Sequence, residues 1–207
     1  MPRDKTVSHE KIVRAAMEEF QQKGFEQASM KAVADAVDMT SAALYRHFAS
    51  KQDMFAALVQ PAVDALSAWK EKHVSSSYDI LEQGDTEVMW DFDSEYGDAR
   101  MVLDVMYRQP KAFRLLFCCS AGTPYESCAH DMTEESTDEM MRFLQLCKEK
   151  GLSVREVQRD EMHMLVSAYS AALIQPIEHG YDKEDAERYL KTMVDFFTPG
   201  WRMILGL

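Results

Sequence analysis

The stretch richest in chemistry runs from Thr40 through Ser41, Ala42, Ala43, Leu44, Tyr45, Arg46, His47 and Phe48 to Lys51. Thr40 is a helix-capping residue type, so a helix should begin just after it. The first turn of that helix carries only small side chains, which let a helix end sit deep in the major groove of DNA. Leu44 and Phe48 stand one turn apart and face inward, leaving Tyr45, Arg46 and His47 on the outer surface. Tyr and His donate hydrogen bonds to phosphate oxygens without a full charge, and Arg46 adds charge. Lys51 opens the next helix, where an ammonium group and free backbone N–H groups can grip a phosphate together. Taken singly, Tyr45 and His47 read equally well as surface residues of a helical bundle. The ordered set is what points to nucleic acid.

Three further elements must position these residues. Ser8 caps a first helix over about 9–23, in which Ile12, Val13, Ala16, Met17 and Phe20 recur at helical spacing and Gly24 supplies the stop. Ser29 caps a shorter second helix with Val33, Ala34 and Val37 on one side. Asp38 follows, a residue type that tolerates the left-handed backbone of a tight turn. Ser50, with Asp53 three places later, caps a fourth helix whose apolar side is Met54, Phe55, Leu58 and Val59. Three short helices, the start of a fourth and a short link between the second and third make a helix-turn-helix.

The charge supports that division. The chain has 207 residues and a net charge of −12. Residues 1–59 carry eight Lys/Arg and eight Asp/Glu, so the whole acid excess lies beyond them. Between Met39 and Gln52 there is no acidic residue, whereas Arg46, His47 and Lys51 are present. A strip free of acid is the minimum needed to approach phosphates, and an acidic remainder keeps other surfaces away from them.

About the first quarter of the chain resembles the TetR/AcrR family of transcriptional regulators. The resemblance rests on Gly24-Phe25, Val33-Ala34, Val37-Asp38-Met39-Thr40, Leu44-Tyr45-Arg46-His47-Phe48 and Lys51. Asp38 stands where the family usually has a turn glycine, and Ala42 where it usually has a glycine in the recognition helix. The resemblance implies that positions such as Lys31, Ser41, Ala42, Ala43, Tyr45, His47 and Lys51 touch DNA. With the two capping residues and Arg46, the candidate DNA-binding set is Ser29, Lys31, Thr40, Ser41, Ala42, Ala43, Tyr45, Arg46, His47 and Lys51.

The expected architecture is all-α, with a DNA-binding domain over 1–59 and a larger helical effector-binding and dimerisation domain over 60–207. Pro61 should bend or interrupt the fourth helix, which should then run to about Val74, with Ser75–Ser77 beginning a looser stretch. Further helices are expected over Val88–Tyr107, Lys111–Cys119, Arg155–His179 and Asp182–Thr198. Another should follow the start signal Thr123, Pro124, Glu126 and stop at Gly151.

The resemblance implies a ligand cavity and a two-helix contribution to a dimer. Candidates for the cavity are Trp90, Phe92, Tyr96, Met106, Tyr107, Phe113 and Phe117. Candidates for the dimer seam are Met162, Val166, Tyr169, Leu173, Tyr189, Met193, Phe196 and Phe197. Simple core packing explains either group of residues as well. Fifteen methionines add adaptable apolar surface.

The function expected is a non-enzymatic, ligand-responsive regulator: a homodimeric repressor released from a palindromic double-stranded DNA operator by a small molecule. There is no Gly-rich phosphate loop, nucleophile motif or paired metal ligands, so no catalytic residue, metal or cofactor is assigned. No signal-peptide pattern or bilayer-length apolar stretch is read, so a cytoplasmic location without membrane contact is expected, with Cys118, Cys119, Cys128 and Cys147 as reduced thiols. Two other readings stay open: a thiol- or metal-sensing regulator on the same scaffold, and a helical small-molecule-binding protein without DNA function.

Overall fold

The computed structural model describes residues 5–84 and 97–205. They form helices α1 (Lys5–Gln27), α2 (Met30–Ala36), α3 (Ser41–Leu44), α4 (Lys51–Gln83), α5 (Asp98–Tyr107), α6 (Pro110–Cys118), α7 (Cys128–Glu149), α8 (Arg159–Glu178) and α9 (Lys183–Leu205), with no strand among the described residues. The chain divides into two compact units. One comprises Met1–Asp64 with Gln109–Ser127, the other Ala65–Arg108 with Cys128–Leu207. The first unit thus includes a segment distant in sequence from its N-terminal helices. No helix among the described residues is long and apolar enough to cross a membrane.

The first unit is built on an aromatic cluster. The Phe20 and Phe55 rings meet edge to face at 5.1 Å, and Phe25 meets Phe55 at 5.3 Å. Ile12, Ala16, Leu44, Met54 and Phe113 are fully buried in this unit. α1 already spans Ser8, so that residue does not cap it. The helical path breaks at Gly24, whose backbone takes φ 71 and ψ 168, before the last turn ends at Gln27. Ser29 caps α2 by accepting from the Ala32 N–H at 3.1 Å, and Thr40 caps α3 by accepting from the Ala43 N–H at 3.2 Å. Asp38 links them at φ 54, in the left-handed region. At the start of α4 the Ser50 hydroxyl accepts from the Asp53 N–H and donates to the Asp53 carboxylate.

α4 does not end near Val74. It passes through Pro61 and Ser75–Ser77 to Gln83. A proline removes one backbone hydrogen bond, and the apolar side continues past it through the buried Ala62, Leu66 and Leu81. The Ser77 hydroxyl donates to the His73 carbonyl at 3.0 Å, so this serine sits within the helix without seeking a turn. α9 likewise runs through Pro199, where the neighbouring Thr198 and Trp201 are buried. Thr123, Pro124 and Glu126 form a turn instead of a helix start. The Thr123 hydroxyl accepts from the Tyr125 N–H, the Glu126 carboxylate accepts from the Gly122 N–H, and α7 starts only at Cys128. It stops where expected, at Gly151 with φ 83. α8 starts at Arg159, four residues later than expected, behind a capping box of Gln158 and Glu161. The expected helix from Val88 begins outside the described residues, and its described part is α5.

The second unit holds two packed clusters. Leu144, Met162, Val166 and Trp201 form one, with Tyr169 and Phe197 against it. Leu81, Phe143 and Cys147 form the other, with Tyr78 and Leu146 alongside. Polar links join α7 to α8. The Arg159 guanidinium donates to Glu134 and Asp138 at 2.7–2.8 Å, and the His163 ring lies 3.2 Å from the Glu134 carboxylate.

The Asp38 backbone can be tested by substitution. Asp38→Gly should leave stability unchanged or raise it by up to about 1 kcal/mol, because glycine adopts positive φ without strain but gains freedom on unfolding. Asp38→Val should cost roughly 1–2 kcal/mol, since a β-branched residue resists that backbone. Urea unfolding of the variants distinguishes these outcomes. Separately, hydrogen bonding from Arg159 holds the Glu134 carboxyl below its ordinary value. The pair's stabilising contribution is therefore present above the unfolded carboxylate range and is lost as pH falls through the lowered folded value. Thermal melts of wild type and Arg159→Met should differ at pH 6 and converge in strong acid.

Candidate nucleic-acid interface

α2, the Asp38 turn and α3 give the candidate site its shape. The turn is closed by backbone bonds from Val37 and Met39 N–H to the Ala34 carbonyl, at 3.2 and 2.9 Å. After Leu44 the backbone tightens, with the His47 N–H donating to the Leu44 carbonyl at 2.9 Å. Leu44 and Phe48 are buried, and this pins the segment. Tyr45, Arg46 and His47 are exposed, and Tyr45 keeps 49% of its surface. Ser29, Lys31, Thr40 and Ala42 are exposed too, with Ser41 and Ala43 half-buried. Nine of the ten candidates therefore lie on the surface of α2, α3 and the turns flanking them, each at least partly open to solvent.

Lys51 is placed differently. Its ammonium group donates to the carbonyls of Phe25, Glu26 and Ala28 at 2.7, 3.1 and 3.1 Å. It also sits 4.4 Å above the centre of the Phe25 ring. An ammonium group has three protons, and all three are accounted for within the protein. The side chain expected to grip phosphate is engaged by carbonyls at the end of α1 and in the turn to α2.

His9 is a residue that the sequence pattern does not single out. It is exposed, but its ring stacks on Phe48 at 5.7 Å and lies 6.4 Å from the His47 ring. The signal was weak, because the contact joins residues nearly forty positions apart. Glu19 is a second overlooked residue. Its carboxylate accepts from the Ser29 N–H at 3.1 Å and pairs with Lys23 at 2.9 Å, tying α1 to the start of α2.

The described candidate cavity residues fall in both units. Trp90, Phe92 and Tyr96 lie outside the described residues. Phe113 is fully buried and Phe117 packs on it at 5.9 Å, both in the first unit. Met106 is buried in the second unit, where the Tyr107 hydroxyl donates to the Tyr181 carbonyl at 2.9 Å. The second unit also bears an open groove of about 430 Å³ lined by Ser67, Lys70, Glu71, Val74, Ser75 and Glu139, none of them expected.

The dimer candidates differ in burial. Met162, Val166 and Met193 are buried within their own unit, and Tyr169, Leu173, Tyr189 and Phe197 are half-buried. Of that set Phe196 alone is exposed, at 76%, with its ring edge against Phe197. The apolar face left open is offset from the expected stripe: Met164, Ala168 and Ala171 on α8, and Phe196, Pro199, Gly200 and Met203 on α9. Hydrophobic periodicity identified amphipathic helices, but it cannot tell a face buried at home from one buried by a partner.

Residues 12–58 match the family described as bacterial regulatory proteins, tetR family. Over nearly its whole length the fold is similar to that of solved regulators. One is a TetR-like transcriptional regulator from Rhodococcus sp. RHA1, 16% identical with a TM-score of 0.53, covering 98% of this chain and 97% of its own. Another is the TetR family transcriptional regulator PfmR from Thermus thermophilus, 19% identical with a TM-score of 0.55, covering 91% of this chain and 97% of its own. Capped α2 and α3, the left-handed turn between them and the match over residues 12–58 make the N-terminal segment similar to the DNA-binding part of the tetR family of bacterial regulatory proteins.

Proposed function

We propose that the chain is a ligand-responsive transcription regulator, a repressor that binds a palindromic operator as a homodimer and leaves it when a small molecule binds. It acts by binding alone, without catalysis, in the cytoplasm. The observation that carries this reading is the exposed trio Tyr45, Arg46 and His47 beside a capped four-residue helix with a first turn of small side chains. Two such helices, one from each subunit and about 34–36 Å apart, would meet successive major grooves. The open apolar face of α8 and α9 is the surface on which we place the second copy, since a stripe bearing Met164, Phe196 and Met203 is unfavourable in water. α4 begins in the first unit and continues in the second, so an effector that favours one setting of that helix would shift the population of DNA-competent dimers.

The thiol-sensing alternative gains little support. Burial pushes the thiols of Cys119, Cys128 and Cys147 up, which disfavours the reactive thiolate. For metal sensing, no group of three or more His, Cys, Asp or Glu side chains among the described residues is arranged to hold an ion.

The test is a salt series of binding to a duplex enriched from random-sequence DNA by the wild-type protein. Tyr45→Ala/His47→Ala should bind at least about tenfold more weakly, a loss equivalent to roughly 1.4 kcal/mol. Arg46→Ala should lower the slope of log affinity against log salt by about 0.9, the value for one phosphate contact. Equal binding by all three proteins would end the proposal. For the dimer, Phe196→Glu should sediment as a monomer, while wild type sediments as a dimer at the same concentration.

A further inference from the structure

We infer that Lys51 is a positioning residue of the DNA-binding unit, which fixes the turn that launches α2 and makes no phosphate contact of its own. The inference rests on the DNA-binding reading above and names how one residue of that site acts.

The turn after Gly24 has a shortage of donors. A chain leaving one helix and entering another exposes carbonyls that no helical N–H can reach. Those of Phe25, Glu26 and Ala28 converge on one point, and the Lys51 ammonium group occupies it. A tetrahedral ammonium with three protons suits three converging acceptors, and the Phe25 ring below it adds a favourable face. A planar guanidinium cannot reproduce that tripod. The same turn is held from a second side, because the Phe25 N–H donates to the Cys119 carbonyl at 2.9 Å. Ser29 follows directly, with its N–H on Glu19 and its hydroxyl capping α2. Moving this turn therefore moves the start of α2, on which the Asp38 turn and α3 are built. Reaching for phosphate would require Lys51 to abandon three charge-assisted hydrogen bonds for one screened contact.

The experiment compares Lys51→Met and Lys51→Arg with wild type on the enriched duplex across salt, at a temperature where circular dichroism shows all three folded. Both variants should bind about tenfold more weakly with the wild-type salt slope. In wild type, the Lys51 ammonium protons should exchange slowly enough to be seen by NMR, with and without DNA. Wild-type binding by Lys51→Arg, together with a slope about 0.9 shallower for Lys51→Met, would identify a phosphate contact and overturn the inference. If Lys51→Met does not fold, Lys51→Arg and the ammonium signal decide. If wild type enriches no duplex, the DNA-binding reading fails by itself. The clamp is then judged by the ammonium signal and by loss of amide protection at Ala32 and Val33 in Lys51→Arg, and absence of both overturns it.

Discussion

Backbone carbonyls that face one another across a tight turn must be given donors, and in this protein that requirement organises the N-terminal unit. Three carbonyls, two from the last turn of α1 and one from the link to α2, meet a single ammonium group from the start of α4. The link ties helices far apart in sequence at the place where the aromatic cluster of Phe20, Phe25 and Phe55 closes. Hydrophobic burial supplies most of the driving force for such a unit, but it is nearly indifferent to direction. Directional bonds at the turn are what fix the angle at which α2 leaves. The caps at Ser29, Thr40 and Ser50 extend the same logic along the chain, each satisfying an amide that helix geometry leaves unpaired.

Features governed by near neighbours were legible in the sequence. Ser29 and Thr40 cap because the donor they need lies three residues away, and Asp38 takes the left-handed backbone because the turn between two helices demands it. Gly24 and Gly151 interrupt or end helices through their own conformational freedom. Features decided by distant packing were not legible. Pro199 sits inside a helix because the apolar side of α9 stays buried beyond it. Ser75–Ser77 look like a loop by composition yet continue α4. Thr123 and Glu126 offer a helix cap in sequence and use those groups to close a turn.

The site shows the same boundary. The surface of Tyr45, Arg46 and His47 follows from the inward pull of Leu44 and Phe48, one turn apart. The role of Lys51 does not, because its partners lie more than twenty positions upstream and nothing local announces them. His9 reaches Phe48 for a similar non-local reason. On α8 and α9 the pattern revealed apolar stripes, and only the packing of Met162, Val166 and Trp201 into one cluster shows which stripe is already occupied.

The brevity of α3 has a consequence for discrimination among DNA sequences. Four helical residues, with Ser41, Ala42 and Ala43 leading, carry no amide or guanidinium fork of their own, and the one fork beside them, Arg46, lies past the end of the helix. A surface of that kind, set against a duplex, senses methyl groups, groove width and the ease with which base steps deform more than it recognises individual donors and acceptors. Sites tolerated by such a protein would share a mechanical profile, and two of them could differ at several bases while feeling alike to the helix that lies on them.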